Sequence, residues 1–421
     1  MKDTLLHTPE GVRDIYGSEC AVKLFIQEKL HHILKLYGFR DIQTPSFEFF
    51  DIFNHERGTV PSKDMYKLFD KEGNTLVLRP DITPSVARCV AKYYKDENLP
   101  VRLCYIGNTY INNTAYQGKL KEVTQLGAEL FNDDSIDADA EMLAITVECL
   151  LESGLKEFQV EIGNADFFRS LIEEAGFDSK EDIIKLRTLI ENKNMFGIED
   201  IIRNKPISNE LKEIFLKLPE LFGSTDILSY AKNMTKHPRS IKAIERLEKL
   251  YETMTIYGFE KYISFDLGMI SKFDYYTGII FKAYTYKTGE PVVTGGRYDN
   301  LVGQFGKECP AIGLAIVIDS LMLALSRQNL LPELDSSDTL VIYKPEYRKL
   351  AISLANYFRK EGMNVILQLS KDSMDLKDYM PYMKSMNIGG LLFIDNDNEI
   401  SVMDSSDGGI KKACVRDIME S

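Results

Sequence analysis

Apolar positions recur at helical spacing from Glu19 to Tyr37, where Val22, Phe25, Leu30, Ile33, Leu34 and Tyr37 share one face. Gly38 follows where a left-handed C-terminal cap belongs. The pattern then changes to short apolar runs broken by loops. Asp41-Ile42-Gln43-Thr44-Pro45 reads as extended, and Pro45 suits an edge or interrupted strand. Strands are predicted over Thr75–Leu78, Val101–Ile106 and Glu122–Phe131. Helical spacing returns over Ala138–Ser153, with Ala140, Met142, Leu143, Val147 and Leu150 along one face.

From about 165 to 257 the chain is rich in Leu, Ile, Lys and Glu, with few strand signals. This reads as a helical insertion between two sheet-forming segments. Strands resume at Ile263–Leu267, Gly278–Tyr286 and Glu290–Thr294, and Ala311–Leu325 holds a strand and a helix. Gln328–Asp338 reads as a linker. A compact α/β pattern follows, with strands at Leu340–Tyr343, Val365–Leu369, Gly390–Ile394 and Ile400–Met403, and helices at Glu346–Lys360 and Asp375–Met386. The expected organisation is a core over 1–327, carrying the insertion, and a C-terminal domain over 338–421.

Composition narrows the function. The chain has 421 residues, 44% apolar and 27% charged, enough for sizeable cores. Its 51 Lys and Arg against 64 Asp and Glu leave a net charge of −13, which disfavours non-specific binding to phosphate backbones. No apolar run reaches the ~20 residues of a membrane span. Met1-Lys2-Asp3-Thr4 leads into no apolar signal region. Six dispersed cysteines without a Cys-x-x-Cys pair, and five histidines in no ligand spacing, predict neither disulfides nor a metal centre. A reducing cytoplasm is the expected compartment.

Three clusters carry candidate chemistry. Leu78-Arg79-Pro80-Asp81-Ile82-Thr83-Pro84 is either a turn held by an Arg–Asp pair or a loop offering Asp81 and Thr83 to a ligand ammonium. Over Lys119–Glu129, alternation puts Lys121, Val123, Gln125, Gly127 and Glu129 on one face. From alternation alone that face belongs to solvent rather than to a polar pocket. Asp274-Tyr275-Tyr276-Thr277-Gly278 and Gly295-Gly296-Arg297-Tyr298-Asp299 hold tyrosines that suit a core or a site. The glycine pair suits a turn or a close ligand approach.

Taken in order, these segments resemble the catalytic domain of histidyl-tRNA synthetase, a class II aminoacyl-tRNA synthetase, over roughly residues 5–325. Thr8-Pro9-Glu10-Gly11-Val12-Arg13-Asp14 resembles that family's opening segment, and Tyr37-Gly38-Phe39 through Thr44-Pro45-Ser46-Phe47-Glu48 its first class motif. Leu78–Thr83 resembles the amino-acid-binding loop. Tyr105-Ile106-Gly107 through Gln125-Leu126-Gly127-Ala128-Glu129 resembles the second motif. The two tyrosine-bearing segments resemble its histidine-specific segments, and Ala311-Ile312-Gly313-Leu314-Ala315-Ile316 the start of its third motif. The implied fold class is α+β: an antiparallel synthetase-like sheet flanked by helices, with a helical insertion and a small C-terminal α/β domain like an anticodon-binding domain.

The departures from that family fall on the cations. Adenylate formation needs permanently charged, bidentate arginines at phosphate. Ile111, Ser271 and Ser320 stand where the resemblance places arginines, and Asn113 where it places an acid. The amino-acid side is kept. By resemblance Asp81, Thr83 and Gln125 hold the α-amino end of histidine, Glu129 faces the imidazole, and Tyr276 and Tyr298 surround it. Lys272, beside Ser271, is a candidate for the carboxylate.

A synthetase fold with its amino-acid pocket and without its ATP arginines resembles the regulatory subunits of ATP phosphoribosyltransferase, which act in the first step of histidine biosynthesis. That resemblance implies no catalytic residue and no cofactor in this chain. It also implies a hetero-octamer with the short-form catalytic subunit, a homodimer through the synthetase-like core, and free histidine as the feedback signal. Residues 338–421 carry 11 basic and 13 acidic residues, so a packing or partner-binding role is expected there and no nucleic acid. The alternatives are a divergent, active histidyl-tRNA synthetase and a stand-alone histidine or tRNA sensor.

Overall fold

The computed structural model describes residues 6–53, 60–113, 119–203, 205–270, 275–334, 338–371, 374–406 and 408–415. The chain divides into two compact units, Met1–Asp14 with Lys23–Leu331, and Ile15–Val22 with Pro332–Ser421.

The first helix, α1 (Gly17–Leu36), buries Ile26, Leu30, Ile33 and Leu34. Phe25, expected on that face, is exposed instead, and the aliphatic part of Lys23 occupies the buried position nearby. Gly38 adopts φ +80°, the left-handed cap its position suggested. The strands β1 (Arg40–Asp41), β2 (Phe47–Phe49), β3 (Lys67–Phe69) and β4 (Thr75–Leu78) follow. The last three form a small antiparallel sheet in the order β2-β4-β3. From β4 the chain turns into α2 (Thr83–Tyr93), which has Pro84 in its first turn, where no amide donor is needed.

The main sheet is built on β5 (Val101–Tyr110) and β6 (Glu122–Phe131), which pair antiparallel over their whole length. β5 runs past the expected end at Ile106 because β6 supplies partners as far as Glu122. Next comes α3 (Ile136–Glu152), where the Ser135 hydroxyl accepts from Ala138 N at 3.1 Å. After β7 (Phe158–Asn164) the helical insertion holds α4 (Ala165–Glu174), α5 (Lys180–Glu191), α6 (Met195–Arg203), α7 (Asn209–Lys217), α8 (Asp226–Met234) and α9 (Pro238–Tyr257). One two-residue strand, β8 (Phe222–Gly223), joins the sheet from within it.

β9 (Ile263–Asp266), β10 (Ile279–Thr285), β11 (Val293–Arg297) and β12 (Ala311–Val317) complete the sheet, and α10 (Ile318–Gln328) follows. The strand order is β1-β5-β6-β12-β11-β10-β7-β9-β8, antiparallel at its centre and parallel at β1-β5 and β7-β9. This is the α+β architecture the resemblance implied. The expectation that Gly295-Gly296 suits a turn is corrected. Both glycines lie inside β11, paired with Leu314 and Gly313 of β12. A Cβ on Gly295 would stand 2.2 Å from the Phe281 ring, so the residue's smallness serves close approach between strands.

In the second unit, β13 (Asp338–Tyr343), β14 (Val365–Leu369), β15 (Ile388–Ile394), β16 (Glu399–Asp404) and β17 (Ile410–Cys414) form a five-stranded sheet in the order β14-β13-β15-β16-β17. Alternation along β13 sends Val341 into a core with Ala351, Leu354 and Ala355 of α11 (Arg348–Lys360). Leu340 and Ile342 pack instead with Met383 of α12 (Met380–Ser385). Among the described residues no helix is long and apolar enough to cross a membrane.

Candidate functional site

Three central strands, the loop after β4 and the segment leading into β10 converge on a cavity of about 130 Å³. The loop after β4 brings Asp81 and Thr83, and β6 brings Gln125 and Glu129. The entry to β10 brings Tyr276, and the exit of β11 brings Tyr298. All six residues singled out in the sequence therefore line one cavity. Its volume is below the ~300–1,000 Å³ of sites for drug-sized ligands and suits a single amino acid.

Glu129 is the electrostatic centre. Its side chain is fully buried, against the expectation from alternation that this strand face meets solvent. The solvent reading fails because Thr83, Tyr105 and Tyr298 cover the carboxylate. Thr83 Oγ1 donates to Oε1 at 2.7 Å, Tyr105 OH to Oε1 at 3.3 Å, and Tyr298 OH to Oε2. Burial pushes the Glu129 carboxyl up to about 8, although the hydrogen bonds from Tyr298 and Thr83 oppose that rise. Around it, burial also holds the hydroxyls of Tyr105, Tyr276 and Tyr298 protonated far above the usual phenol range. They are fixed donors.

The tyrosines form one aromatic wall. Tyr275 packs on Tyr276 with ring centroids 4.8 Å apart and meets Tyr298 edge-on at 5.9 Å. Across the cavity, Gln125 Oε1 is buried with no hydrogen-bond partner. An unpaired buried amide oxygen costs about 1–3 kcal/mol, and a ligand N–H would remove that cost. Asp81 Oδ1 accepts from the Thr83 amide at 3.1 Å, which fixes the carboxylate at the start of α2. The Arg–Asp turn is not formed in the expected way. Arg79 is buried and donates to Thr44 O at 2.7 Å, Pro45 O at 3.3 Å and Asn108 O at 2.9 Å, tying the loop to β5 and to the segment before β2.

The cation side contrasts with this. Among the described residues no Lys or Arg lines the cavity, and Ile111 forms part of its wall. Ser320 sits in the first turn of α10 beside Asp319, whose carboxylate takes Lys23 Nζ at 2.8 Å and Thr124 N at 2.6 Å. Ser271 and Lys272 lie outside the described residues.

A family model described as histidyl-tRNA synthetase matches residues 11–321. A protein of Acetivibrio thermocellus named ATP phosphoribosyltransferase regulatory subunit is 38% identical over 421 residues, with 100% of each chain covered. One of the same name from Ruminiclostridium cellulolyticum is 41% identical over 399 residues, covering 95% of this chain and 94% of its own. This chain belongs to the ATP phosphoribosyltransferase regulatory subunit family. A solved structure from Bacillus halodurans, described as an ATP phosphoribosyltransferase regulatory subunit/histidyl-tRNA synthetase, superposes with a TM-score of 0.82 at 31% identity. It covers 93% of this chain and 99% of its own.

Several residues in or directly behind the pocket of this regulatory-subunit family member carry no role in the sequence reading. Tyr105 touches Glu129, and Tyr275 supplies half of the tyrosine wall. Both lie inside segments that carried the resemblance, so the signal was present without a role attached. Thr294, Gly313 and Ala315 line the cavity as small residues on paired strands, a signal visible only once the register is known.

One group of metal-ligand type exists among the described residues, with His31, Asp41 and Cys104 within 4.8 Å of one another. Lys35 Nζ already donates to Asp41 at 2.8 Å, and burial pushes the Cys104 thiol up to about 12. This is the chemistry of a carboxylate held by an ammonium, and a thiol so protected is a poor ligand.

Proposed function

We propose that this chain is a non-catalytic regulatory subunit of an ATP phosphoribosyltransferase and that its cavity holds free histidine. The observation that carries the reading is one cavity uniting a buried carboxylate, the buried hydroxyls of Tyr276 and Tyr298 and an unpaired amide oxygen, with no cation among its described walls. Such a site recognises an amino acid bearing an imidazole and an ammonium, and offers little to a triphosphate. In this reading Glu129 faces the imidazole, and Tyr276 and Tyr298 enclose it. Asp81, Thr83 and Gln125 receive the α-ammonium.

The catalytic centre for phosphoribosyl transfer lies on a separate short-form chain in a cytoplasmic hetero-oligomer, and the synthetase-like core pairs with a second copy. The acidic C-terminal unit serves packing or partner contact rather than nucleic acid. Histidine in the cavity signals to the catalytic chain and slows the first step of histidine biosynthesis.

Two measurements test this. Calorimetry of the full chain with histidine gives saturable binding, and histidine-dependent ATP–pyrophosphate exchange gives no turnover. Clear exchange would instead make the chain a divergent synthetase. Binding of histidine without co-purification of a phosphoribosyltransferase chain would leave a stand-alone sensor.

A further inference from the structure

We infer that Arg79, a buried guanidinium with no carboxylate of its own, is the cation of a small oxyanion site beside β5. The site is a cavity of about 210 Å³, separate from the amino-acid cavity. Its polar lining is Arg79 from the loop after β4, with Gln43 and Thr44 from the segment after β1. Ile42, Ile82 and Ile106 supply most of the apolar wall, and among the described residues no carboxylate lines it.

The donors of Arg79 are not all used. Nε donates to Asn108 O at 2.9 Å, and Nη1 donates to Thr44 O at 2.7 Å, Thr44 Oγ1 at 3.0 Å and Pro45 O at 3.3 Å. Among the described residues Nη2 donates to nothing. It lies on β5 at Gly107, where a Cβ would stand 2.3 Å from it and 3.2 Å from Ile82 Cδ1. The missing side chain at 107 is what leaves room for the guanidinium on the strand.

Every acceptor that Arg79 has is neutral, although the residue is only 6% exposed. The carboxylate that acts on it from a distance, Glu48, is held by Arg88 at 2.7 Å. Burial accordingly pulls the Arg79 guanidinium below the ordinary arginine value. Arg297 is equally buried and goes the other way, because Asp139 and Asp299 outweigh the effect of its burial and push it up. A buried charge is normally paired, and Arg79 lacks the anion that Arg297 has.

The cavity can supply the place for that anion. Thr44 Oγ1 accepts from Nη1, which leaves its own proton for another acceptor, and the Gln43 amide lines the same space. Guanidinium, hydroxyl and amide donors together suit an oxyanion, and charge-assisted hydrogen bonds of this kind are the strong ones. The apolar walls lower the local dielectric and strengthen them further. The volume is below the ~300–1,000 Å³ usual for larger ligands, so it suits a carboxylate or phosphate group rather than a nucleotide. The loop fastened by Arg79 runs on into Asp81 and Thr83, yet the anion site does not depend on the histidine reading above.

Inorganic phosphate and acetate are the probes, each titrated calorimetrically into the full chain and into Gln43→Glu. Arg79 itself also ties the loop to β5, so the variant is made at its neighbour. Gln43 is exposed, so Gln43→Glu keeps the fold while it places a competing carboxylate in the cavity. Saturable binding of at least one probe is expected for the parent chain, weakened by about tenfold or more in the variant. Tighter binding of phosphate would assign the site to a phosphate group, and tighter binding of acetate to a carboxylate. No saturable binding of either probe by the parent, or equal binding by both proteins, overturns the site.

Discussion

Gly313 faces Glu129 across the β6–β12 ladder, and a Cβ at position 313 would stand 1.7 Å from the Glu129 Oε2. The glycine is the space into which the carboxylate folds. Replacement by alanine forces the carboxylate away from Tyr298 or forces the strands apart. Overpacking of this kind costs about 1–3 kcal/mol. Gly313→Ala should lower the urea midpoint accordingly and weaken histidine binding by about tenfold or more. A variant with unchanged histidine affinity would show that Glu129 does not need this position.

Much of this arrangement was legible before any coordinates. The periodicity of α1 and α3, the insertion at 165–257 and the ordered segments bearing Asp81, Glu129, Tyr276 and Tyr298 were readable because each depends on residues close in sequence. What escaped depends on partners far away. Glu129 read as solvent-facing by alternation because its covers, Thr83 and Tyr298, arrive from other elements. Gly295 and Gly296 suit either a turn or a close ligand approach in the sequence, and only the register with β12 places them inside a strand, with Gly295 on the cavity wall. The 78–84 segment suits either an Arg79–Asp81 turn or a ligand-facing loop in the sequence, and only the fold shows carbonyls of Thr44 and Asn108 claiming the Arg79 guanidinium.

Gln125 offers a test that separates binding from stability. Its buried Oε1 has no partner, so replacing the amide by an isosteric apolar group removes a polar atom already unsatisfied. Gln125→Leu should leave the melting temperature equal or higher. It should weaken histidine by about tenfold, the loss of one hydrogen bond to a charged ammonium. A melting temperature that falls would mean that the oxygen is satisfied in solution.

The Glu129 carboxyl makes stability depend on pH in a stated direction. Its folded value of about 8 lies above the ordinary 4.5, so the native protein holds a proton that the unfolded chain releases between them. The stabilising contribution is complete below pH 4.5, declines through the window and is lost above about 8. One proton gives a slope of at most about 1.4 kcal/mol per pH unit. Urea titrations of the histidine-free chain should show this decline, and Glu129→Gln, which has no proton to lose, should flatten it. Parallel profiles for the two proteins would place the titrating group elsewhere.

Asp139 is buried on α3 between Arg297, whose Nη2 donates at 2.6 Å, and Arg246, whose Nε donates at 2.7 Å. The carboxylate joins β11, α3 and the last helix of the insertion. Removing it leaves a nearly fully buried guanidinium opposite nothing but main-chain oxygens and Asp299. Asp139→Ala should cost about 3–5 kcal/mol by denaturant unfolding. Asp139→Asn, which keeps the shape and one acceptor oxygen, should cost less. Equal losses would show that the retained shape and acceptor oxygen contribute nothing and that the charge carries the whole effect.

The regulatory reading makes its strictest demand on the assembled complex. A ligand shifts an equilibrium only by its differential affinity for the two states, so inhibition requires that histidine prefer the slow state of the complex. The cavity lies on this chain, and phosphoribosyl transfer is assigned to the partner, so the effect has to cross a subunit interface. Coupling of about 1–3 kcal/mol is typical for such pairs. In the reconstituted complex, Tyr276→Ala or Gln125→Ala should move the histidine inhibition curve to higher concentration, each normalised to its own uninhibited rate. The shift should match the loss of histidine affinity measured on the isolated chain, because both report the same contacts. A parental inhibition curve from a variant that no longer binds histidine would put the feedback site on the catalytic chain. This subunit would then act through assembly alone.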